Sequence, residues 1–269
     1  MNILCLNDFS CHSRCSLGIA MPVLTRYGYN VTTLPTGLFS THTGIENYVM
    51  QNLNQFIYKT LEHFDKLGLQ FDAVYSGFLL DCQQLDIMKQ TIERYSNAQI
   101  IIDPVMGDNG TFYKAHDHNF MKQFRSLLKY ADILTPNATE AQQLCGFEYK
   151  KPPYTLQDIQ KFVSKLKELG TKTIILKSVD IGDGKIGVAI KEKNNDSIQY
   201  ICTKKIDGEY NGCGDLFASI LIGEIIAGKH ILDASQKACE LVKQAIQYTT
   251  PQECAYGIAF EKILDKCKA

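Results

Sequence analysis

Short apolar segments alternate with longer amphipathic segments along the chain. The short segments are rich in β-branched residues and predict buried strands, whereas the longer ones repeat apolar positions at helical spacing. The predicted strands are NILCL (2–6), YNVTTLP (29–35), FDAVYSG (71–77), AQIIIDPV (98–105), ADILTPN (131–137) and TKTIILKS (171–178). Strands that alternate with helices of this length are typical of a mostly parallel sheet with helices on both faces.

The helical segments and one hairpin complete this pattern. Helices are predicted over 16–27, 44–64, 83–96, 138–146, from the Thr155 cap through Leu169, and over the C-terminal third from Leu216. The segments GKIGVAI (184–190) and SIQYICT (197–203) flank the polar KEKNND and predict a β-hairpin. The sequence therefore predicts an α/β fold of three layers, α/β/α, around a central mostly parallel sheet.

Composition favours one domain and a small-molecule partner. The 269 residues are 45% hydrophobic without a long polar interruption, which predicts a single domain over 1–269. With a net charge of −1 and no basic stripe, neither nucleic acid nor a membrane is an expected partner. The ten cysteines are scattered without a C-x-x-C pair, so neither a metal cluster nor a disulfide framework is indicated. Because no signal peptide is visible, the protein is expected to be cytoplasmic.

The segment NGCGDLFASIL (211–221) carries the strongest chemical signal. Gly212 and Gly214 allow a tight turn whose N–H groups, with the start of a helix, would stabilise negative charge. Asp215 follows in the first helical turn, where it could accept a proton from a bound alcohol. Cys213 lies where a helix N-terminus would stabilise a thiolate. The alternative is a glycine turn with an acidic residue that only favours the helix dipole.

Further polar side chains follow predicted strands. Asp103 and Asp108 bracket DPVMGD, where a phosphate or hydrated cation could approach closely. Asn137 and Glu140 are three residues apart in TPNATE and could orient magnesium-bound waters. The alternatives are an Asp-capped turn for the first pair and a capping box for the second. Asn137 and Glu140 could form a capping box and also orient magnesium-bound waters, because the two roles are compatible.

Several of these motifs, in this order, resemble one enzyme family. The segments DPVMGDNGTFY, ADILTPNATEAQQLCG and NGCGDLFASIL look like the pyridoxal kinase branch of the ribokinase-like superfamily, and CLNDFSCHSRCSLGIAMPVL, FSTHTG and FDAVYSGFL extend the resemblance over nearly the whole chain. No G-x-x-x-x-G-K-[ST] motif is present, and no G-x-G-x-x-G follows the first strand. A nucleotide would therefore be bound by other means.

The resemblance implies transfer of the γ-phosphoryl group of ATP to the 5′-hydroxymethyl group of pyridoxal, pyridoxine or pyridoxamine. Asp215 would be the general base, and the backbone of Gly212, Cys213 and Gly214 would form the anion hole. Magnesium would bridge the phosphate oxygens, and a monovalent cation is a further ligand that the resemblance leaves open. Asp103, Asp108 and Glu140 would shape the metal environment, and the residues expected at ATP are Asn137, Lys177, Ser178 and Tyr210.

On the substrate side, the resemblance points to the end of the first strand and to two later segments. Asp8 and Ser10 lie at that strand end, Thr43 falls at a second ring contact, and Phe78 would stack on the ring. The alternatives are that Thr43 caps a helix starting near Gly44 and that Phe78 belongs to the core. A homodimer is usual in the family, and a mobile cover over the site is expected near 108–118.

Two departures from the family pattern keep other functions open. Cys213 replaces the usual threonine of Gly-Thr-Gly-Asp, which removes a hydroxyl but keeps the backbone N–H groups. Asp8 replaces a serine found in some pyridoxal kinases, and hydroxymethylpyrimidine kinases of thiamin synthesis share an aspartate there. A pyrimidine alcohol is therefore the main rival substrate. A non-catalytic vitamin-binding protein is a further alternative, although it would have no chemical reason to keep a base beside an anion hole.

Overall fold

A nine-stranded sheet forms the centre of the computed structural model, which describes residues 1–268. Its strands run in the order β11-β10-β9-β8-β5-β4-β1-β2-β3, and the six from β9 to β2 in this order are parallel. The strands are β1 (Asn2–Ser10), β2 (Asn30–Phe39), β3 (Met50–Asn52), β4 (Ala73–Ser76), β5 (Gln99–Ile102), β8 (Ile133–Leu134), β9 (Thr173–Gly182), β10 (Lys185–Lys191) and β11 (Gln199–Lys204). A separate small hairpin consists of β6 (Gly107–Asp108) and β7 (Thr111–Phe112).

Helices cover both faces of this sheet. The α-helices are α1 (Leu17–Arg26), α2 (Asn54–Lys66), α3 (Cys82–Arg94), α4 (His118–Phe124), α5 (Ala138–Cys145), α6 (Leu156–Glu168), α7 (Cys213–Ile226) and α8 (Ile231–Tyr248). Three 3₁₀ helices span Arg125–Tyr130, Cys254–Tyr256 and Phe260–Lys266. The three-layer α/β/α fold predicted from the sequence is confirmed.

The alternation of side chains along β1 shows how the sheet builds two cores. Leu4 and Leu6 point to the face covered by α2 to α6, whereas Ile3 and Cys5 point to the face covered by α1, α7 and α8. All four side chains are buried. A strand that buries both faces reads as a continuous apolar run, which is the pattern that the sequence shows.

Local signals placed several elements correctly. Asn137 and Thr155 each cap a helix through a capping box, and Gly146 ends α5 in the left-handed conformation at φ 73°. The predicted hairpin is β10 with β11, which pair antiparallel. The C-terminal helix begins at Cys213, earlier than the predicted Leu216, because the glycine turn itself forms the helix N-terminus.

The predicted helix over 44–64 is wrong in its first half. Residues 50–52 form β3, which pairs antiparallel with β2 at the edge of the sheet, and the helix starts only at Asn54. Backbone pairing with Gly37 to Phe39 outweighs the local helical pattern there. Thr43 therefore caps no helix, and the alternative reading of this residue fails.

The pattern also missed α4, whose N-cap is Asp117.

The parallel strands place chemically active residues along one edge. Asp103 directly follows β5 and Asn137 follows β8, and Lys177 lies within β9 beside Asn137. Asp8 lies near the end of β1, where its register with β2 shifts by one residue. The carboxyl ends of parallel strands are where ligands bind in open α/β sheets. Within residues 1–268, no helix is long and apolar enough to cross a membrane.

Candidate active site

The turn that begins α7 requires a glycine at its centre. Gly212 is the N-cap residue and has φ 82°, a left-handed conformation that favours glycine. A Cβ atom added there would lie 2.2 Å from the carbonyl oxygen of Arg14, so a side chain has no space. This turn exposes the first N–H groups of a 14-residue helix, and such groups bind anions.

Asp215 stands in the first turn of α7, partly buried, as the sequence predicted. Burial, together with the negative charges of Asp8 and Asp103, raises the pKa of its carboxyl group to about 7. The backbone N–H of Ser16 and the charge of Lys177 act in the opposite direction. A carboxyl group that titrates near neutral pH is suited to general base catalysis.

Asp8 is a second carboxyl group with a raised pKa. It is 7% exposed, and burial raises its pKa to about 6, although hydrogen bonds from Ser16 and Ser10 favour the charged form. The Ser10 hydroxyl donates to Asp8 Oδ2 at 3.3 Å and is itself buried. Ser10 thus orients Asp8. Both residues hold the positions that the sequence indicated.

A buried ion pair joins the ends of β5 and β9. Lys177 Nζ donates to both carboxylate oxygens of Asp103, at 2.7 and 2.6 Å, and both side chains are buried. Burial lowers the pKa of Lys177, but the carboxylates of Asp103 and Glu140 outweigh burial and raise it. The ammonium group also lies 3.5 Å from the position of a Cβ atom on Gly214. Its positive charge therefore stands at the N-terminus of α7.

A bulge in β9 sets the direction in which the Lys177 side chain points. The pairing with β10 shifts where Lys177 and Ser178 lie opposite a single residue, Val188. Ser178 has φ 56° and is exposed, whereas Lys177 is buried. The bulge leaves Ser178 at the surface next to the lysine, so Ser178 remains a candidate for contact with ATP.

Asn137 and Glu140 hold the loop after β5 against α5. Glu140 accepts from the backbone N–H of Asn137 at 2.7 Å and from that of Met106 at 3.2 Å. Asn137 Nδ2 donates to the carbonyl of Gly107 at 2.9 Å. Burial raises the pKa of Glu140 well above its ordinary value. The capping box is therefore present, and it also fixes the loop that carries Asp108.

The three carboxylates predicted to hold a metal are not equally available. Lys177 engages both oxygens of Asp103, and backbone N–H groups engage both oxygens of Glu140. Asp108 is exposed, and only one of its oxygens accepts a hydrogen bond, from Asn109. In the described part of the chain, no three His, Cys, Asp or Glu side chains are arranged to hold a metal by themselves. A metal here would take its remaining ligands from phosphate oxygens and water.

A cavity of about 290 Å³ opens beside Asp215. Asp8, Thr43, Phe78, Gly212 and Asp215 line it, so the structure brings these predicted residues together. The sequence analysis did not identify the other lining residues, which are Cys15, Ser16, His42, Gly44, Val105, Phe112, Tyr113, Lys114 and Asn211. Phe112, Tyr113 and Lys114 belong to the segment that was expected to cover the site.

Phe78 belongs to the core, as one reading of the sequence held, and it also faces the cavity. Its side chain is 5% exposed and packs edge to face against Phe39, with ring centroids 6.0 Å apart. It also lines the cavity, where a planar ligand could stack on it.

Tyr210, by contrast, is not among the lining residues, and its hydroxyl donates to the carbonyl of Asp207 at 3.1 Å.

The expectation of a thiolate at Cys213 is wrong. Burial, together with the nearby charge of Asp215, raises the pKa of its thiol to about 12. Removal from water and a neighbouring carboxylate together outweigh the helix N-terminus. Cys213 is therefore a neutral thiol, and an anion bound at this turn would meet its backbone N–H.

Comparisons with known proteins agree with this geometry. Residues 21–258 match the family model described as phosphomethylpyrimidine kinase. A pyridoxal kinase of Arabidopsis thaliana is 29% identical over 231 residues, which cover 82% of this chain and 72% of that protein.

Two solved structures resemble the whole chain. A Bacteroides thetaiotaomicron protein with pyridoxal has a TM-score of 0.94 and 29% identity, covering 99% of this chain and 95% of that one. The pyridoxal kinase of Lactobacillus plantarum has a TM-score of 0.89 and 26% identity, covering 99% of this chain and 96% of that one.

Replacing Lys177 by methionine should destabilise the protein by about 3–5 kcal/mol, because Asp103 would remain as an uncompensated buried charge. The double variant Lys177→Met with Asp103→Asn should recover a large part of this loss. Urea unfolding of the wild type, both single variants and the double variant measures the free energy of unfolding. Additive losses in the double variant would show that the two groups do not interact.

Proposed function

Because the chain belongs to the phosphomethylpyrimidine kinase family, within the ribokinase-like superfamily, we propose that it transfers the γ-phosphoryl group of ATP to the 5′-hydroxymethyl group of a B6 vitamer. The substrate would be pyridoxal, pyridoxine or pyridoxamine, and the reaction would serve vitamin B6 salvage. The observation that carries this proposal is Asp215, which lies beside the glycine turn of α7 and lines an aromatic-walled cavity.

Asp215 would act as the general base. Its carboxylate would accept the proton of the hydroxymethyl group as the oxygen attacks the γ-phosphorus, and ADP would leave on the opposite side. Its raised pKa makes it a stronger base than an ordinary aspartate, yet it is still largely charged above neutral pH. The negative charges of Asp8 and Asp103 contribute to the raised pKa of Asp215.

The start of α7 would stabilise the charge on the transferring group. The backbone N–H groups of Gly212, Cys213 and Gly214 would donate to its oxygens, and the dipole of a long helix adds to this effect. Lys177, near Gly214, would supply positive charge from the opposite strand end. Phosphoryl transfer depends mainly on such positioning and charge stabilisation.

Magnesium would enter the site with ATP. When bound, it would neutralise charge on the phosphate oxygens. Asp108 is the carboxylate with a free oxygen near this region, whereas Asp103 and Glu140 would act through water. Asn137 and Ser178 would lie along the nucleotide phosphates, with Tyr210 towards the base.

Running the kinase assay with potassium or sodium salts would decide whether a monovalent cation is also required.

Asp8 would contact the substrate ring, with Thr43 and Phe78 on its other sides. A buried carboxyl with a pKa of about 6 can accept a hydrogen bond from a ring substituent near neutral pH. This property suits a hydroxypyridine and an aminopyrimidine alike. Hydroxymethylpyrimidine therefore remains the second candidate substrate, supported by the same residue and by the name of the family.

The sheet edge offers a surface for a second copy of the chain. β3 is the terminal strand, and Leu38, Val49, Met50 and Phe56 are exposed on it and beside it. Edge strands with exposed apolar residues are prone to pairing with another chain. We place the homodimer interface here.

All ten cysteines are free, as expected in a reducing compartment such as the cytoplasm, and cell fractionation would test that location.

Replacing Asp215 by asparagine should lower kcat by about 10²- to 10⁴-fold, because the base is lost while the shape is kept. ATP consumption and product mass should be measured with pyridoxal, pyridoxine, pyridoxamine and hydroxymethylpyrimidine. A phosphorylated vitamer that disappears in the variant supports the proposal. Preference for the pyrimidine would move the enzyme to thiamin synthesis, and binding of vitamers without any product would indicate a non-catalytic binding protein.

The pH dependence of kcat/KM should report the pKa of Asp215. Only the carboxylate form is a base, so kcat/KM should rise with pH, with a midpoint near the pKa of about 7, and level off at higher pH. Asp8→Asn removes a negative charge that raises this pKa, so the rise should move to lower pH. Profiles between about pH 5.5 and 9 would be compared for both proteins. Titration of the substrates is common to both, and an unmoved midpoint would contradict the coupling.

The interface predicts the effect of a charge at β3. Sedimentation equilibrium of the wild type should give twice the mass of one chain, and Val49→Lys should shift the equilibrium towards the monomer. Leu156→Lys is the matched control, because Leu156 is 63% exposed on α6, against 74% for Val49, and lies away from this edge. A monomeric wild type, or equal effects of both variants, would refute this interface.

A further inference from the structure

The loop between β1 and α1 is tied to a segment near the C-terminus. The backbone N–H of Arg14 donates to the carbonyl of Tyr256 at 2.7 Å. Its guanidinium group donates to Glu261 at 2.8 Å and to Glu253 at 3.1 Å. One side chain thus spans two turns of the segment 250–261. The contacts join residues that are more than 200 positions apart along the chain.

The same loop supports the glycine turn of α7. The Arg14 carbonyl oxygen lies 2.2 Å from the position of a Cβ atom on Gly212 and 2.5 Å from that of one on Gly257. On the other side of the turn, the Ile258 N–H donates to the carbonyl of Asn211 at 3.1 Å. Residues 211–212 are therefore held between Arg14 and the C-terminal segment.

The C-terminal segment also reaches the ring side of the cavity. The His42 ring nitrogen Nε2 lies 2.7 Å from the carbonyl oxygen of Ala255, and the backbone N–H of His42 donates to Ser13 Oγ at 3.0 Å. The rings of His12 and Tyr256 pack edge to face, 4.8 Å apart. His42 lines the cavity beside Thr43. The segment 250–261 thus contacts both the glycine turn of α7 and His42, which lies on the ring side of the cavity.

We propose that Arg14 is a positioning residue for phosphoryl transfer, which holds the glycine turn of the anion hole in place by locking the β1–α1 loop to the segment 250–261. This inference rests on the proposed kinase function. Gly212 has no side chain to fix its conformation, so its neighbours must hold the N–H groups at the right distance. An error of about 1 Å in such a site costs about 100-fold in rate.

The ordinary alternative is a surface ion pair that contributes only stability. The Arg14 side chain is 28% exposed, and ion pairs at such positions contribute little to folding. The two explanations differ in what a variant changes. A positioning role lowers kcat with little change in stability, whereas a purely structural role lowers the melting temperature and leaves the kcat of the folded protein intact.

The test replaces Arg14 by glutamine. Its matched control is Arg94→Gln, because Arg94 is 26% exposed and pairs with Asp65 at 3.2 Å, away from the site. We expect Arg14→Gln to lower kcat by about 10- to 100-fold, with both KM values within about threefold of the wild type. Arg14→Lys, which can pair with only one glutamate at a time, should be intermediate. The control should keep wild-type kcat.

Amide hydrogen exchange gives a readout that does not depend on turnover. The amide of Ile258, which donates to the carbonyl of Asn211, should exchange faster in Arg14→Gln and at the wild-type rate in Arg94→Gln. The double variant Glu253→Gln with Glu261→Gln keeps Arg14 but removes both partners, and it should reproduce both effects. It replaces Arg14→Gln as the test if that variant does not fold.

Two results would overturn the inference. One is wild-type kcat in folded Arg14→Gln and in the double glutamine variant; the other is unchanged exchange of the Ile258 amide in both. The failure of the proposed function is distinguishable, because the wild type itself would then phosphorylate neither a vitamer nor the pyrimidine. In that case the exchange experiment would still decide whether Arg14 holds the glycine turn.

Discussion

The excess of buried negative charge at the carboxyl edge of the sheet constrains the whole site. Asp8, Asp103 and Glu140 are buried there, Asp215 stands beside them, and Lys177 is the single buried lysine or arginine within residues 1–268. Lys177 is committed to Asp103, so Asp8 and Asp215 have no direct ion pair, and burial raises their pKa values. A site with this balance favours ligands that bring positive charge, and a metal–nucleotide complex brings it together with the phosphates.

The same balance explains how a base and an anion site can stand side by side. The helix N-terminus and Lys177 favour the charged form of Asp215, whereas burial and the other carboxylates oppose it. The two influences leave the pKa of Asp215 near neutral. A lower pKa would weaken the base, and a much higher one would leave it protonated. Cys213 lacks such a balance, since burial and Asp215 act on its thiol in the same direction, and it stays neutral.

Local sequence signals predicted the elements whose cause is local. Asn137 and Thr155 cap their helices through neighbours three residues away, and the apolar strands β1, β4 and β9 are buried on both faces. The helix predicted over 44–64 failed because β3 forms only through pairing with β2. The places of Asp8, Asp103 and Asn137 at strand ends were likewise predictable. Arg14 and His42 were not, because their partners lie more than 200 positions away and no local pattern marks them.

The two glycines of the turn are needed for different reasons, and this explains why a cysteine between them is tolerated. Gly212 is fixed by the protein itself, since its left-handed backbone and the Arg14 carbonyl exclude a side chain. Gly214 has ordinary space around it, and an added Cβ would meet only Lys177 Nζ at 3.5 Å. That position lies between the lysine and the helix N-terminus, where phosphoryl oxygens would bind. In the proposed reaction Gly214 would leave room for the ligand, while residue 213 would supply only its N–H, which cysteine and threonine provide equally well.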